Sequence, residues 1–188
     1  MIHATQTRKG TNIAYISHLL GVSSLVLEAG GNEDEAIAGL LHDAVEDCGG
    51  LSRLADVRAR FGDRVADIVL ACSDSTDEEW KKVTSYWERK CRYLDHLEAT
   101  GDDRAVLVSI ADKAHNARAL VTDLHLHGIA VLGKFNGTPD EIVKYYTECL
   151  RIARHRGIPG AVVDPLATAV SEIERLVGRG VTAQESSL

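Results

Sequence analysis

The sequence is poor in proline. There are 3 prolines in 188 residues, and Pro139, Pro159 and Pro165 all lie late in the chain. Before them no residue locks φ or removes an amide donor, so helices are left to end on glycine and polar caps. Cysteine is also sparse. Cys48, Cys72, Cys91 and Cys149 are widely spaced, with no CxxC pair and no finger-like Cys/His spacing. That excludes a disulfide framework and a finger-type zinc site, and reads as reduced, mostly buried thiols in a cytoplasmic protein. No apolar run approaches the roughly 20 residues of a membrane span, and the N-terminus has no apolar stretch of the secretory kind. Positive charge is outweighed, 21 Lys and Arg against 28 Asp and Glu, for a net charge of −7. This argues against broad nucleic-acid binding, which needs a basic face. A small anionic substrate is still allowed, since a metal ion and a few local cations reverse the potential inside a cleft.

What is present is helical periodicity. The pattern predicts helices near 16–29, 34–48, 51–60, 63–73, 79–99, 103–126, 140–155 and 162–178. "GGNEDE" closes one helix on Gly30 and opens the next at Asn32 or Glu33, Gly62 with Asp63 separates two more, and Thr138 before Pro139 and Glu141 makes a helix start. Val57, Phe61, Val65, Ile68, Val69 and Cys72 recur at three- and four-residue steps, as buried faces do. No segment alternates at period two. The expected class is all-α, one multi-helix domain over residues 1–180 with a mobile tail at 181–188.

The segment "LLHDAVED" places His42, Asp43, Glu46 and Asp47 in an otherwise apolar run. On one helix, His42 and Glu46 stack four residues apart, as do Asp43 and Asp47. Imidazole nitrogen beside carboxylate oxygen suits Mn, Fe, Zn or Co. The two acids one turn on could orient a water or take its proton. An acidic helix end can equally be a solvated face, so a metal requires further ligands elsewhere. His18 in "YISHLLGV" is one candidate, with a satisfied core histidine as its alternative. Asp112 in "IADKAHNARAL" is the other. It follows the apolar "AVLVSI", shares a face with Asn116, and has His115 nearby. A buried acid needs a partner, whether a metal or an arginine.

His18, His42-Asp43 and Asp112 form an H…HD…D pattern. It resembles the HD superfamily of metal-dependent phosphohydrolases, and more narrowly the hydrolase domain of RelA/SpoT proteins and the stand-alone small alarmone hydrolases. "RKGTNIAYISHLLGV", "AGLLHDAVEDCG", "FGDRVADIVLACSD" and "VLVSIADKAHNARAL" are similar to that family's segments, in order, and "GTPDEIVKYYTECLRIA" is similar to the helix that follows in the free-standing enzymes. The resemblance implies removal of the 3′-pyrophosphate of ppGpp or pppGpp, giving GDP or GTP. It implies a divalent ion, usually Mn2+, on His18, His42, Asp43 and Asp112, with Glu46 and Asp47 acting on the nucleophilic water in roles the sequence does not divide. Arg8 and Lys9 match the basic pair near the nucleotide, Lys113 a phosphate contact, and Asn116 a ribose contact. Tyr15 is placed to pack on the base, and Tyr145, or Tyr146 beside it, matches a substrate-facing tyrosine. Ala14 and Leu19 stand where the family usually carries proline. The partners implied are the nucleotide, with no nucleic acid and no membrane, a homodimer being left open. Two other functions compete: a phosphohydrolase of another nucleotide, such as an adenosine alarmone or a nucleoside monophosphate, and a non-catalytic nucleotide sensor. The aromatics Trp80, Tyr86, Trp87 and Tyr93 read as packing, and His96, His125, His127 and His155 as surface or packing residues.

Overall fold

The structure, a computed structural model, describes residues 3–73 and 78–185. The described residues are helical, with one isolated β-bridge between Thr7 and Ala14. The helices are α1 (Ile16–Glu28), α2 (Glu33–Leu41), α3 (Ala44–Asp47), α4 (Gly50–Cys72), α5 (Glu78–Val83), α6 (Tyr86–Ala99), α7 (Asp103–His127), α8 (Pro139–His155) and α9 (Gly160–Glu185), with a 3₁₀ turn at Ile129–Lys134. Helix α7 is the axis of the fold. It packs against α1, α2, α4, α8 and α9, and residues 105–112 are buried on every side. That is why "AVLVSIAD" is apolar on all faces, Ser109 and Asp112 excepted, rather than striped.

Several helix ends follow the sequence. Asn32 and Glu35 form a capping box at α2, and Thr138 with Glu141 forms another at α8, where Pro139 takes the first turn. Gly62 kinks α4 at φ 87°, a conformation an L side chain rarely adopts. Two expected helices are divided. The 79–99 helix breaks before α6, where the extended Ser85 accepts from the Glu88 amide at 3.2 Å. The 34–48 helix ends at Leu41, and α3 begins at Ala44. The cause is local: the His42 imidazole Nδ1 occupies the Gly39 carbonyl at 2.9 Å, the acceptor that residue 43 would need to extend α2. His42, Asp43, Glu46 and Asp47 thus span a helix junction rather than one helix face. Helix α9 runs to Glu185, and residues 186–188 of the expected tail lie outside the described residues.

Two features bring the site residues together. Gly39 packs on α1 so closely that an added Cβ would lie 3.2 Å from the Ser23 Cα, and Ser23 Oγ donates to the Ala36 carbonyl at 2.9 Å. Residues 6–15 fold back over the helices as a narrow turn. The Arg8 amide donates to the Ile13 carbonyl and the Tyr15 amide to the Gln6 carbonyl, each at 2.9 Å.

Candidate metal centre and adjoining cavity

His18 from α1, His42 after α2 and Asp112 from α7 meet in the interior. They are 1%, 3% and 5% exposed, and their donor atoms all lie within 4.8 Å of one another. His18 Nε2 is 3.2 Å from Asp112 Oδ1 and 3.8 Å from Asp43 Oδ2. His42 Nε2 is 2.9 Å from Asp43 Oδ2 and 3.6 Å from Asp112 Oδ1. Asp43 reaches the same centre from its outer side and is half-buried.

The donor set fits a divalent ion. His42 Nε2 is buried and makes no hydrogen bond, although Asp43 Oδ2 lies 2.9 Å away. Its other nitrogen is fixed on the Gly39 carbonyl, so Nδ1 carries a proton and Nε2 is the nitrogen that faces the centre. A buried polar atom without a partner is costly unless something binds it. Two imidazoles with carboxylates make a mixed nitrogen–oxygen site of the Mn, Fe, Co or Zn type.

The surrounding groups tune these ligands. Tyr15 hydroxyl donates to Asp43 Oδ2. Lys113 Nζ and Asn116 Nδ2 each donate to Asp112 at 2.5 Å. Burial alone would raise Asp112, yet the Lys113 ammonium and the two histidines hold it well below the carboxylate range. Burial would likewise lower His42, but the Asp43 charge and contact with Asp112 hold it well above 6.5. Asp43 is pulled down by His42 against its own desolvation. Burial pushes His115, beside His18, down to about 4, with the neighbouring cationic side chains adding to the shift.

Beside the centre opens a cavity of about 450 Å3. Arg8 and Lys9 line it from the N-terminal turn, Lys113 and Asn116 from α7, and both Tyr145 and Tyr146 from α8. Arg8 Nη2 donates to Asn116 Oδ1 at 2.8 Å, so the turn and α7 are tied through a residue that also touches Asp112. Tyr15 lines the cavity but spends its hydroxyl on Asp43, and its ring lies 5.0 Å from that of His3. Lys113 likewise spends its ammonium on Asp112 and the Tyr93 ring, 4.7 Å away. The Tyr145 hydroxyl is buried without a hydrogen bond. Glu46 and Asp47 sit on α3, with Asp47 exposed and accepting from Gln6 Nε2 at 2.8 Å.

Sequence reasoning missed part of this wall. Tyr86, Arg89 and Lys90 of α6, Lys134 at the end of the 3₁₀ turn, and Phe135 and Asn136 after it also line the cavity. The α6 residues lie in a segment that reads as charged packing surface. Only the docking of α6 against α8 turns part of that segment inward. Of the histidines expected to be peripheral, His125 pairs with Glu172 at 2.9 Å.

Comparison with known proteins adds an independent line. A family model described as "HD domain" matches residues 1–130. A Synechocystis protein named probable guanosine-3′,5′-bis(diphosphate) 3′-pyrophosphohydrolase is 32% identical over 119 residues, 63% of this chain and 15% of that protein. The Aquifex aeolicus protein of the same name, there without "probable", is 32% identical over 119 residues, 63% of this chain and 16% of that protein. The chain therefore spans under a fifth of the length of these curated relatives. Among solved structures, Listeria monocytogenes EGD-e lmo0812 is similar at a TM-score of 0.68 and 32% identity, covering 87% of this chain and 99% of that one. A metazoan SpoT ortholog, described as hydrolysing ppGpp, is similar at a TM-score of 0.68 and 25% identity, covering 91% of this chain and 88% of that one.

Proposed function

Because the chain belongs to the HD-domain family, we propose that it is a metal-dependent phosphohydrolase that cleaves the 3′-pyrophosphate from ppGpp or pppGpp. The observation that carries this reading is the pairing of a buried His18–His42–Asp112 cluster, with His42 Nε2 turned into it, and a cation-lined cavity at its edge. The names and the solved relative above supply the substrate class. We assign the activity to residues 1–180, and the preferred ion to Mn2+.

His18, His42, Asp43 and Asp112 would hold the ion. When bound, it would supply Lewis-acid polarisation of a phosphate oxygen and ease ionisation of the attacking water. The remaining work falls to the chain. Water attacks the phosphorus on the ribose 3′-oxygen, the P–O3′ bond breaks, and the 3′-oxygen leaves and takes up a proton, giving GDP or GTP and pyrophosphate. Glu46 and Asp47, on the helical turn that follows Asp43, would accept the water's proton and orient it. Gln6 fixes one Asp47 oxygen, which leaves the other for that task. Arg8 and Lys9 neutralise substrate phosphates, and Asn116 exchanges its Arg8 contact for the ribose. Tyr145 brings a desolvated hydroxyl to the cavity wall. We place the protein in the cytoplasm, where its cysteines stay reduced; all four are free thiols. No helix among the described residues is long and apolar enough to cross a membrane.

Incubation of the purified chain with ppGpp and Mn2+, followed by ion-exchange chromatography, tests the reading. GDP and pyrophosphate are expected. Release of orthophosphate alone, or turnover of another nucleotide with ppGpp untouched, refutes it.

A further inference from the structure

The two buried histidines of the centre are held by different devices. His42 donates its Nδ1 proton to a backbone carbonyl, the usual arrangement for an imidazole ligand. His18 Nδ1 instead faces another imidazole: it lies 3.0 Å from His115 Nδ1, with the rings 4.9 Å apart and inclined at 61°. Two imidazole nitrogens at that distance share one proton, so one donates and the other accepts. His18 Nε2 points at Asp112 Oδ1 and the centre. If Nε2 offers its lone pair to an ion, the His18 proton must sit on Nδ1. His115 Nδ1 is then the acceptor, and the His115 proton is on Nε2.

The position of His115 is itself built. Gly21 is three residues beyond His18 on α1, on the same face. A Cβ there would lie 2.3 Å from both Cδ2 and Nε2 of the His115 ring. Gly21 is not needed for its backbone freedom, because it sits inside a regular helix. It is the space that seats the His115 ring against α1.

The geometry points to His115 as a positioning residue that fixes the tautomer and ring angle of His18, with Gly21 as its socket. This assignment rests on the metal-centre reading. The full-length chain, freed of metal, is titrated with Mn2+ by isothermal calorimetry. His115→Asn keeps an acceptor oxygen near the Nδ1 position, whereas His115→Gln moves it to the far end of the ring and His115→Ala removes it. Affinity in the Asn variant is expected to stay near the parent, and in the Gln and Ala variants to fall about 10–100-fold. Gly21→Ala is expected to weaken Mn2+ binding in the parent and to add no further loss to His115→Ala, where the ring it displaces is gone. Long-range 1H–15N spectra of the Zn2+-loaded chain are expected to show His115 as the Nε2–H tautomer. Equal affinities for the Asn and Gln variants, additive losses for Gly21→Ala, or an Nδ1–H tautomer overturn the assignment while leaving the metal centre intact. A parent chain that binds no Mn2+ or Zn2+ overturns both.

Discussion

Consider Lys113→Met, which keeps the length of the side chain and removes its charge. Lys113 Nζ sits 2.5 Å from Asp112 Oδ2, and the two side chains are 15% and 7% exposed, so water does little to replace the pair. Removing one partner of a buried ion pair costs about 3–5 kcal/mol, because the other charge loses its nearest counter-charge. In a chain of this length each kcal/mol moves the midpoint by about 2–4 °C, so the metal-free variant should melt about 6–20 °C below the parent. The second half of the prediction has the opposite sign. Lys113 repels any cation placed on Asp112, and a unit charge about 4 Å away is worth on the order of 4 kcal/mol at a partly buried site. Adding Mn2+ should therefore raise the melting temperature of Lys113→Met by more than it raises that of the parent. Differential scanning calorimetry with and without Mn2+ reads both effects. A metal-free variant as stable as the parent, or a smaller rise with Mn2+, would show that Lys113 is not the counter-charge of Asp112 and would return it to a purely substrate-facing role.

The double change Glu46→Ala, Asp47→Ala should retain Mn2+ binding by calorimetry and lose turnover of ppGpp by about 10²–10⁴-fold; loss of the ion with intact folding would place these acids among the ligands. Metal affinity should rise with pH. His42 is held above 6.5 in the metal-free chain, so an ion must displace its proton, and binding should release protons into the buffer near neutrality. By the same linkage, the stability His42 lends the metal-free chain is full below about 6.5 and lost as pH climbs through its raised value. Asp112, held below 3.8, lends stability that is lost as pH falls through its lowered value. Calorimetry in buffers of different ionisation enthalpy measures the proton release, and a flat affinity profile across about pH 6–8 would contradict it. Arg8→Ala should raise KM for ppGpp with little change in metal affinity, since Arg8 contacts Asn116 and the Tyr15 ring rather than the centre itself; a matched loss of Mn2+ binding would show that the N-terminal turn supports the centre itself. Ile110→Ala, at a fully buried position of α7, should cost about 2–5 kcal/mol in urea melts.

The helical class was legible because it depends on local information: apolar spacing, glycine and the Asn32 and Thr138 caps act within a few residues of themselves. The burial of His18, His42 and Asp112 was legible for a related reason. Each is a polar residue in an apolar segment, and that contrast is written in sequence. What sequence could not supply was the direction of side chains relative to segments far away. The stacked pairs expected on one helix at His42–Asp47 became a helix junction, because a side chain competed for the Gly39 carbonyl. Lys113 turned to Asp112, and Tyr15 to Asp43, because burial of a charge makes the nearest compensating group decisive. Arg89, Lys90 and Phe135 became cavity wall only when α6 and the 3₁₀ turn docked near α7 and α8. Arg8 met Asn116 across 108 residues. Sequence by itself determined which residues could carry the chemistry. Which of them meet at the centre, which contact those residues and which face the cavity was decided by packing, since hydrogen bonds and charge compensation act through space and not along the chain.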